Sequence, residues 1–139
     1  PTLKGEAVML DMGANVECDA RDLFNFAVMG DAFARAVLGL SRPRIGILNI
    51  GSEEIKGHEV LHETATMLRR CDGRLEFRGF VEANHIPEGY ADVIVTDGFT
   101  GNIAIKMAEG TSHLLQTYVK RAFLSSWTAR LSALIAYGT

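Results

Sequence analysis

Hydrophobic residues in this chain gather in short unbroken runs that end on glycine, asparagine and an acid, and stretches with helical spacing follow. The pattern occurs at residues 8–15 (VMLDMGAN), 47–57 (ILNIGSEEIKG) and 93–102 (VIVTDGFTGN). Runs without polar alternation suit strands buried on both faces of a sheet. Residues 8–11 read as such a strand. Asp19 then caps a helix over about 20–38, in which Leu23, Phe26, Ala27, Phe33, Ala34 and Val37 keep helical spacing, and Gly39 with Pro43 ends it. Residues 44–50 form a second strand and about 57–70 a helix. A third strand spans 75–81, a loop 83–91, a fourth strand 92–96, and a long helix about 101–123. This β-α-β-α-β-loop-β-α order predicts an α/β sandwich with a mostly parallel sheet. In that architecture the carboxyl ends of the strands share one rim. The three glycine-asparagine turns are therefore expected together, where anionic ligands bind.

Composition narrows the reading. With 139 residues and 47% hydrophobic content, the chain suits one domain with a real core. A net charge of -3, with basic residues scattered and no basic patch interleaved with aromatics, argues against a nucleic-acid partner. Cys18 and Cys71 are far apart and form no CxxC, which fits free thiols in a reducing, cytoplasmic compartment. No stretch is long and apolar enough to read as a membrane span. The start at Pro1, and the stop just after an amphipathic stretch, predict a fragment of a longer protein.

Four patterns carry candidate chemistry. His58-Glu59-Val60-Leu61-His62 spells HExxH, which on a helix puts two imidazoles on one face as a zinc peptidase requires. The elongated form with a third histidine is absent, and a solvated helix face explains the residues; no metal and no cofactor is expected. Residues 49–57 end a buried strand in a polar turn that holds Lys56 between Gly51 and Gly57, suiting phosphate or, equally, a salt-bridged surface loop. Residues 97–102 place Asn102 in the first turn of the last helix, where N–H groups attract anions, or else form a simple capping turn with Thr100 as cap. Residues 11–15 repeat that logic at the first strand. Asp11, Glu53, Glu54 and Asp97 are the acids placed to hold a divalent ion, although acids at strand ends more often cap helices.

At these residues the chain resembles the acyl carrier protein:phosphate acyltransferases of bacterial phospholipid synthesis. The matching pieces are LDMGANVE (10–17), FAVMG (26–30), RIGILNIGSEEIKG (44–57), VEAN (81–84) and DVIVTDGFTGNIAIKMAEG (92–110), in family order. The resemblance implies the later part of a longer enzyme with a three-layer α/β/α, isopropylmalate-dehydrogenase-like fold, acting as a homodimer. It implies transfer of a long-chain acyl group from acyl carrier protein to inorganic phosphate. By motif match, Asn15, Lys56 and Asn102 become the catalytic candidates. Asp11, Gly13, Asn49, Gly51, Glu53, Gly57, Asp97, Gly98, Gly101 and Lys106 become substrate-binding candidates. His58 and His62 fall outside the motifs. Phosphate is largely dianionic at neutral pH, and a thiolate leaves without obligatory protonation, so direct attack needs no Cys or Ser nucleophile. Competing readings on this fold are a short-chain phosphotransacetylase, an oxidoreductase and a non-catalytic interaction module.

Within residues 124–139, Trp127, Leu131, Leu134 and Ile135 recur at helical spacing, near Lys120, Arg121 and Arg130. That pattern suits either an interfacial helix or a helix packed on a partner. The resemblance favours peripheral contact with the inner face of the cell membrane, because acyl phosphate must reach a membrane-bound glycerol-phosphate acyltransferase.

Overall fold

The computed structural model describes residues 1–71 and 73–124. Its elements are β1 (Val8–Leu10), α1 (Ala20–Val37), β2 (Arg44–Leu48), α2 (Glu59–Arg69), β3 (Glu76–Val81), β4 (Val93–Val95) and α3 (Gly98–Leu124). A 3-10 turn at Ala83–His85 lies between β3 and β4. The strands pair in parallel in the order β1-β4-β2-β3. This is the parallel α/β architecture that the hydrophobic pattern predicts.

Strand side chains divide by parity between two cores. Ile45, Ile47, Phe80, Val93 and Val95 pack with Leu23, Ala27 and Ala34 of α1 and with Ala65 and Leu68 of α2. Leu48, Val81 and Ile94 belong to the opposite core, with Met9, Ile86, Ala91 and Ala104. Helices α1 and α2 thus cover one face, and the β3–β4 connection with the first turns of α3 covers the other. Right-handed crossovers dictate this division: the chain moves across the sheet from β1 to β2 and β3, then returns to β4, and opposite directions need opposite faces. Each fully buried Ile or Val contributes about 1.5–3 kcal/mol of transfer free energy to holding the layers.

Three local expectations shift for physical reasons. Phe33 and Val37 are exposed (49% and 62%), because α1 buries a stripe of Leu23, Ala27, Gly30, Asp31 and Ala34 whose small residues let it lie close to the sheet. Helix α2 starts at Glu59 rather than near 57, because Gly57 has a left-handed φ of 97° and His58 is extended. Helix α3 starts at Gly98 rather than 101, because the Asp97 carboxylate caps it by accepting from Thr100 N and Thr100 Oγ1, both at 2.8 Å. Asp97, not Thr100, is the cap. The expected Asp19 cap of α1 is present, its side chain accepting from Arg21 N and Asp22 N.

Pro1–Ala104 and Ile105–Thr139 are two compact units. In the second, Lys106 pairs with Glu109 at 2.8 Å, and α3 leaves Met107, Leu114, Leu115, Tyr118 and Val119 exposed. Trp127, Leu131, Leu134 and Ile135 lie outside the described residues. No helix among the described residues is long and apolar enough to cross a membrane.

Candidate functional site

In open α/β sheets, ligand crevices form at the carboxyl ends of adjacent strands whose connections leave toward opposite faces. Strand β4 meets that condition on both sides, since it feeds α3 on one face while its neighbours β1 and β2 feed α1 and α2 on the other. The three glycine-asparagine turns follow β1, β4 and β2, so they occupy contiguous places on one rim.

The turns after β1 and β4 are joined directly. Asp11 N donates to Thr96 O at 2.8 Å, Gly98 N to Asn15 O at 2.7 Å, and Asn102 Nδ2 to Met12 O at 3.1 Å. The approach is close enough to demand glycine. A Cβ on Gly98 would lie 2.6 Å from Asn15 O, and one on Gly101 would overlap Asp11 O. Asp11, Gly13, Asn15, Gly98, Gly101 and Asn102 therefore come together as the sequence pattern expects. Asn102 does so from the fifth residue of α3, beyond its first turn. The N–H groups at the start of α3 serve the fold: Gly98 N binds Asn15 O, Thr100 N the Asp97 carboxylate, and Gly101 N the Asp97 carbonyl.

Asp11 shapes the first turn from within. Its carboxylate accepts from Gly13 N, Ala14 N, Asn15 N and Asn15 Nδ2 at 2.7–2.9 Å. Burial acts to raise its pKa, but these hydrogen bonds outweigh it and hold the carboxyl at about 2. With its oxygens so engaged, Asp11 positions Asn15 rather than serving as a base. A folded-state pKa below the ordinary 3.8 means stability that is present above that value and lost as pH falls toward about 2. The linkage is worth up to about 2 kcal/mol, less screening by water at this partly exposed turn. Asp11→Asn should lower the urea midpoint at pH 5–7, with the gap from wild type closing between about pH 4 and pH 2. A gap independent of pH would show that the carboxylate's charge is not what holds the turn.

The β2 turn is stapled by Asn49, which is 8% exposed. Its Nδ2 donates to Lys56 O and its Oδ1 accepts from Ile50 N, each at 2.8 Å, while Asn49 N donates to Val81 O at the end of β3. At the turn's outer side Lys56 Nζ lies 2.9 Å from Glu53 Oε1. The hydrogen bond between them raises the lysine's pKa and lowers the glutamate's, so both stay charged near neutrality. Asn49, Gly51, Glu53, Lys56 and Gly57 thus form the second group of the rim. Lys106 pairs instead with Glu109, in the second unit.

The acids weighed for a divalent ion are engaged elsewhere: Asp11 in its turn, Glu53 with Lys56, Glu54 with Arg69, and Asp97 with Thr100. Among the described residues no three His, Cys, Asp or Glu side chains gather as an ion site requires. The HExxH residues do not share a helical face, since His58 precedes α2 with extended backbone. His62 instead sets its ring edge-on to Phe80, with centroids 5.5 Å apart.

Sequence reasoning missed three contributors. The Met12 carbonyl anchors Asn102 across 90 positions, a pairing no local pattern displays. Glu82, at the end of β3, adds negative potential at Lys56. Cys18 directs its thiol toward Asn15 O at 3.7 Å, and burial pushes its pKa up, keeping it protonated. The Asp-x-Gly-x-Asn spacing at 11–15 was the one local hint, since an Asp two residues before Gly favours a side-chain-closed turn.

Fold and rim together define a parallel α/β domain whose glycine-asparagine turns lie at a strand switch point, where open α/β sheets commonly bind their ligands. Residues 1–139 match the family described as Fatty acid synthesis protein, and the chain belongs to that family. It is 57% identical over 138 residues to a phosphate acyltransferase of Rhodospirillum centenum, covering 99% of this chain and 39% of that protein. It is 54% identical to the phosphate acyltransferase of Paramagnetospirillum magneticum, covering 98% of this chain and 39% of that protein. For the phosphate acyltransferase of Gluconacetobacter diazotrophicus the identity is 53%, covering 97% and 36%. The chain thus spans about two fifths of the length of these curated relatives.

Proposed function

We propose that this chain forms part of an enzyme that transfers a long-chain fatty acyl group from acyl carrier protein to inorganic phosphate, making acyl phosphate for phospholipid synthesis. The observation that carries the proposal is the union of the three glycine-asparagine turns on one rim that also holds Lys56, in a chain whose relatives are named phosphate acyltransferases.

In the proposed reaction a phosphate oxygen attacks the thioester carbonyl, the C–O bond forms, and the C–S bond breaks. The carrier's thiolate leaves and takes a proton from water. Catalysis then consists of placing phosphate and stabilising the oxyanion. Lys56 supplies a cation for phosphate. Asn15 and Asn102 each spend one amide N–H internally, on Asp11 and on the Met12 carbonyl, and each retains a second N–H for the carbonyl oxygen. The protonated Cys18 fits direct attack without an acyl-enzyme. Incubating the complete enzyme with long-chain acyl carrier protein and phosphate should yield acyl phosphate. Free fatty acid released equally well without phosphate would refute the reading, and a preference for acetyl thioesters would favour the short-chain alternative.

The apolar residues exposed along α3 support a homodimer contact through that helix. For residues 124–139 the proposal is weak, reversible binding to anionic membranes from the cytoplasmic side, where a membrane-bound glycerol-phosphate acyltransferase would take the product. Leu131→Glu/Leu134→Glu should then reduce co-sedimentation with anionic vesicles while circular dichroism stays unchanged. Equal binding by both proteins would leave these residues as a partner or packing surface.

A further inference from the structure

The loop between β2 and α2 folds its one cation back onto its own acid. Lys56 Nζ lies 2.9 Å from Glu53 Oε1, and a Cβ on Gly51 would sit 2.5 Å from both Glu53 Oε2 and Lys56 Cδ. The bare backbone of Gly51 is therefore the floor on which the pair rests. The backbone under the pair is fixed, Lys56 N donating to Glu53 O at 3.1 Å and the Asn49 staple holding the Lys56 carbonyl, while the Glu53 carboxylate reaches across the turn to the ammonium. Both side chains are half exposed, at 46% and 56%, so water reaches the pair and an incoming anion can too.

We propose that Glu53 is a specificity-determining residue whose carboxylate occupies the phosphate's seat on Lys56 in the free site, so that only an anion able to outcompete it is admitted. The inference rests on the reading of Lys56 as the phosphate-binding cation. An exposed ion pair corresponds to about 1.4- to 5-fold in an equilibrium constant, so opening it is a small penalty. A dianionic phosphate offers the ammonium more charge and more acceptor oxygens than a carboxylate, and charge-assisted bonds of that kind are the stronger ones. Phosphate therefore displaces Glu53 with a net gain. A monoanion such as chloride meets an equal charge already in place and gains nothing.

Glu53→Gln in the complete enzyme keeps the side chain's shape and removes its charge. The KM for phosphate should fall about two- to fivefold, with the KM for acyl carrier protein unchanged. At constant ionic strength chloride should become a stronger competitor of phosphate than in the wild type. A phosphate KM that is unchanged or raised in Glu53→Gln, while Lys56→Ala raises it, would overturn the inference and leave Glu53 as a positioning partner of Lys56. Lys56→Ala without effect on phosphate KM would remove the site reading itself, and this inference with it. Matching circular dichroism and thermal melts of the variants secure the comparison.

Discussion

Gly101→Ala is expected to destabilise the protein by about 3 kcal/mol or more, although alanine ordinarily stabilises a helix interior by about 1 kcal/mol over glycine. The reversal of sign follows from where α3 meets the β1 turn. A Cβ at Gly101 would overlap the Asp11 carbonyl oxygen and lie 2.8 Å from the Thr96 methyl. Neither neighbour can yield cheaply. The backbone of Asp11 is tied to Thr96 O at 2.8 Å, its side chain gathers three following N–H groups, and Gly101 itself is held to Asp97 O at 2.9 Å. Relief would have to separate the β1 and β4 turns, which also breaks the contact from Asn102 to Met12 O. Activity should fall with stability. Gly110→Ala is the control in the same helix, because nothing lies within 4 Å of its added Cβ, and it should be neutral or stabilising by up to about 1 kcal/mol. Urea midpoints at unchanged slope would report both. A neutral or stabilising Gly101→Ala would mean that α3 and the β1 turn are not in the contact described.

The same residues show what a linear pattern conveys and what it withholds. Ile45, Ile47, Val93, Ile94 and Val95 are apolar on consecutive or alternate positions because both faces of their strands are covered, so the parallel sheet and its helices were readable. The neighbour relations were not. Nothing local says that β4 inserts between β1 and β2, yet that insertion is what sets the three turns on a contiguous rim. The starts of α2 and α3 were misplaced by two or three residues because they depend on the left-handed Gly57 and on the Asp97 carboxylate, each a single conformational choice. Phe33 and Val37 keep helical spacing yet stay exposed, since α1 approaches the sheet through Gly30 and Ala34, and period alone does not rank a bulky stripe above a small one. In the site, residue types were legible while their duties were not. Asp11 and Asn49 read as ligand-binding groups, and the structure adds that both close their own turns, through hydrogen bonds that no spacing encodes.

Lys56→Ala is expected to raise the KM for phosphate by about 10- to 150-fold, the range that loss of a charge-assisted contact implies. Lys56 is the cation carried by the β2 turn, and the Asn49 staple fixes its backbone at the rim. Its hydrogen bond with Glu53 raises its pKa above the ordinary lysine value, so the ammonium stays charged across the neutral range. Phosphate KM should therefore show no lysine titration between pH 6 and 9, and alanine should act by removing charge at every pH in that window. The effect should fall on phosphate alone, leaving the KM for acyl carrier protein unchanged. Lys56→Arg keeps the charge but replaces a compact ammonium with a planar fork that the Gly51 floor is not shaped to seat, so rescue should be partial. Asn102→Ala offers the contrasting signature. Its amide is tied to Met12 O and, in the proposed reaction, presents its remaining N–H to the carbonyl that becomes an oxyanion, so its loss should lower kcat more than it raises either KM. Steady-state kinetics with both substrates varied would separate the two patterns. Wild-type constants in both variants would show that the chemistry lies elsewhere in the protein, whereas a phosphate-specific defect in Lys56→Ala would locate the anion at the end of β2.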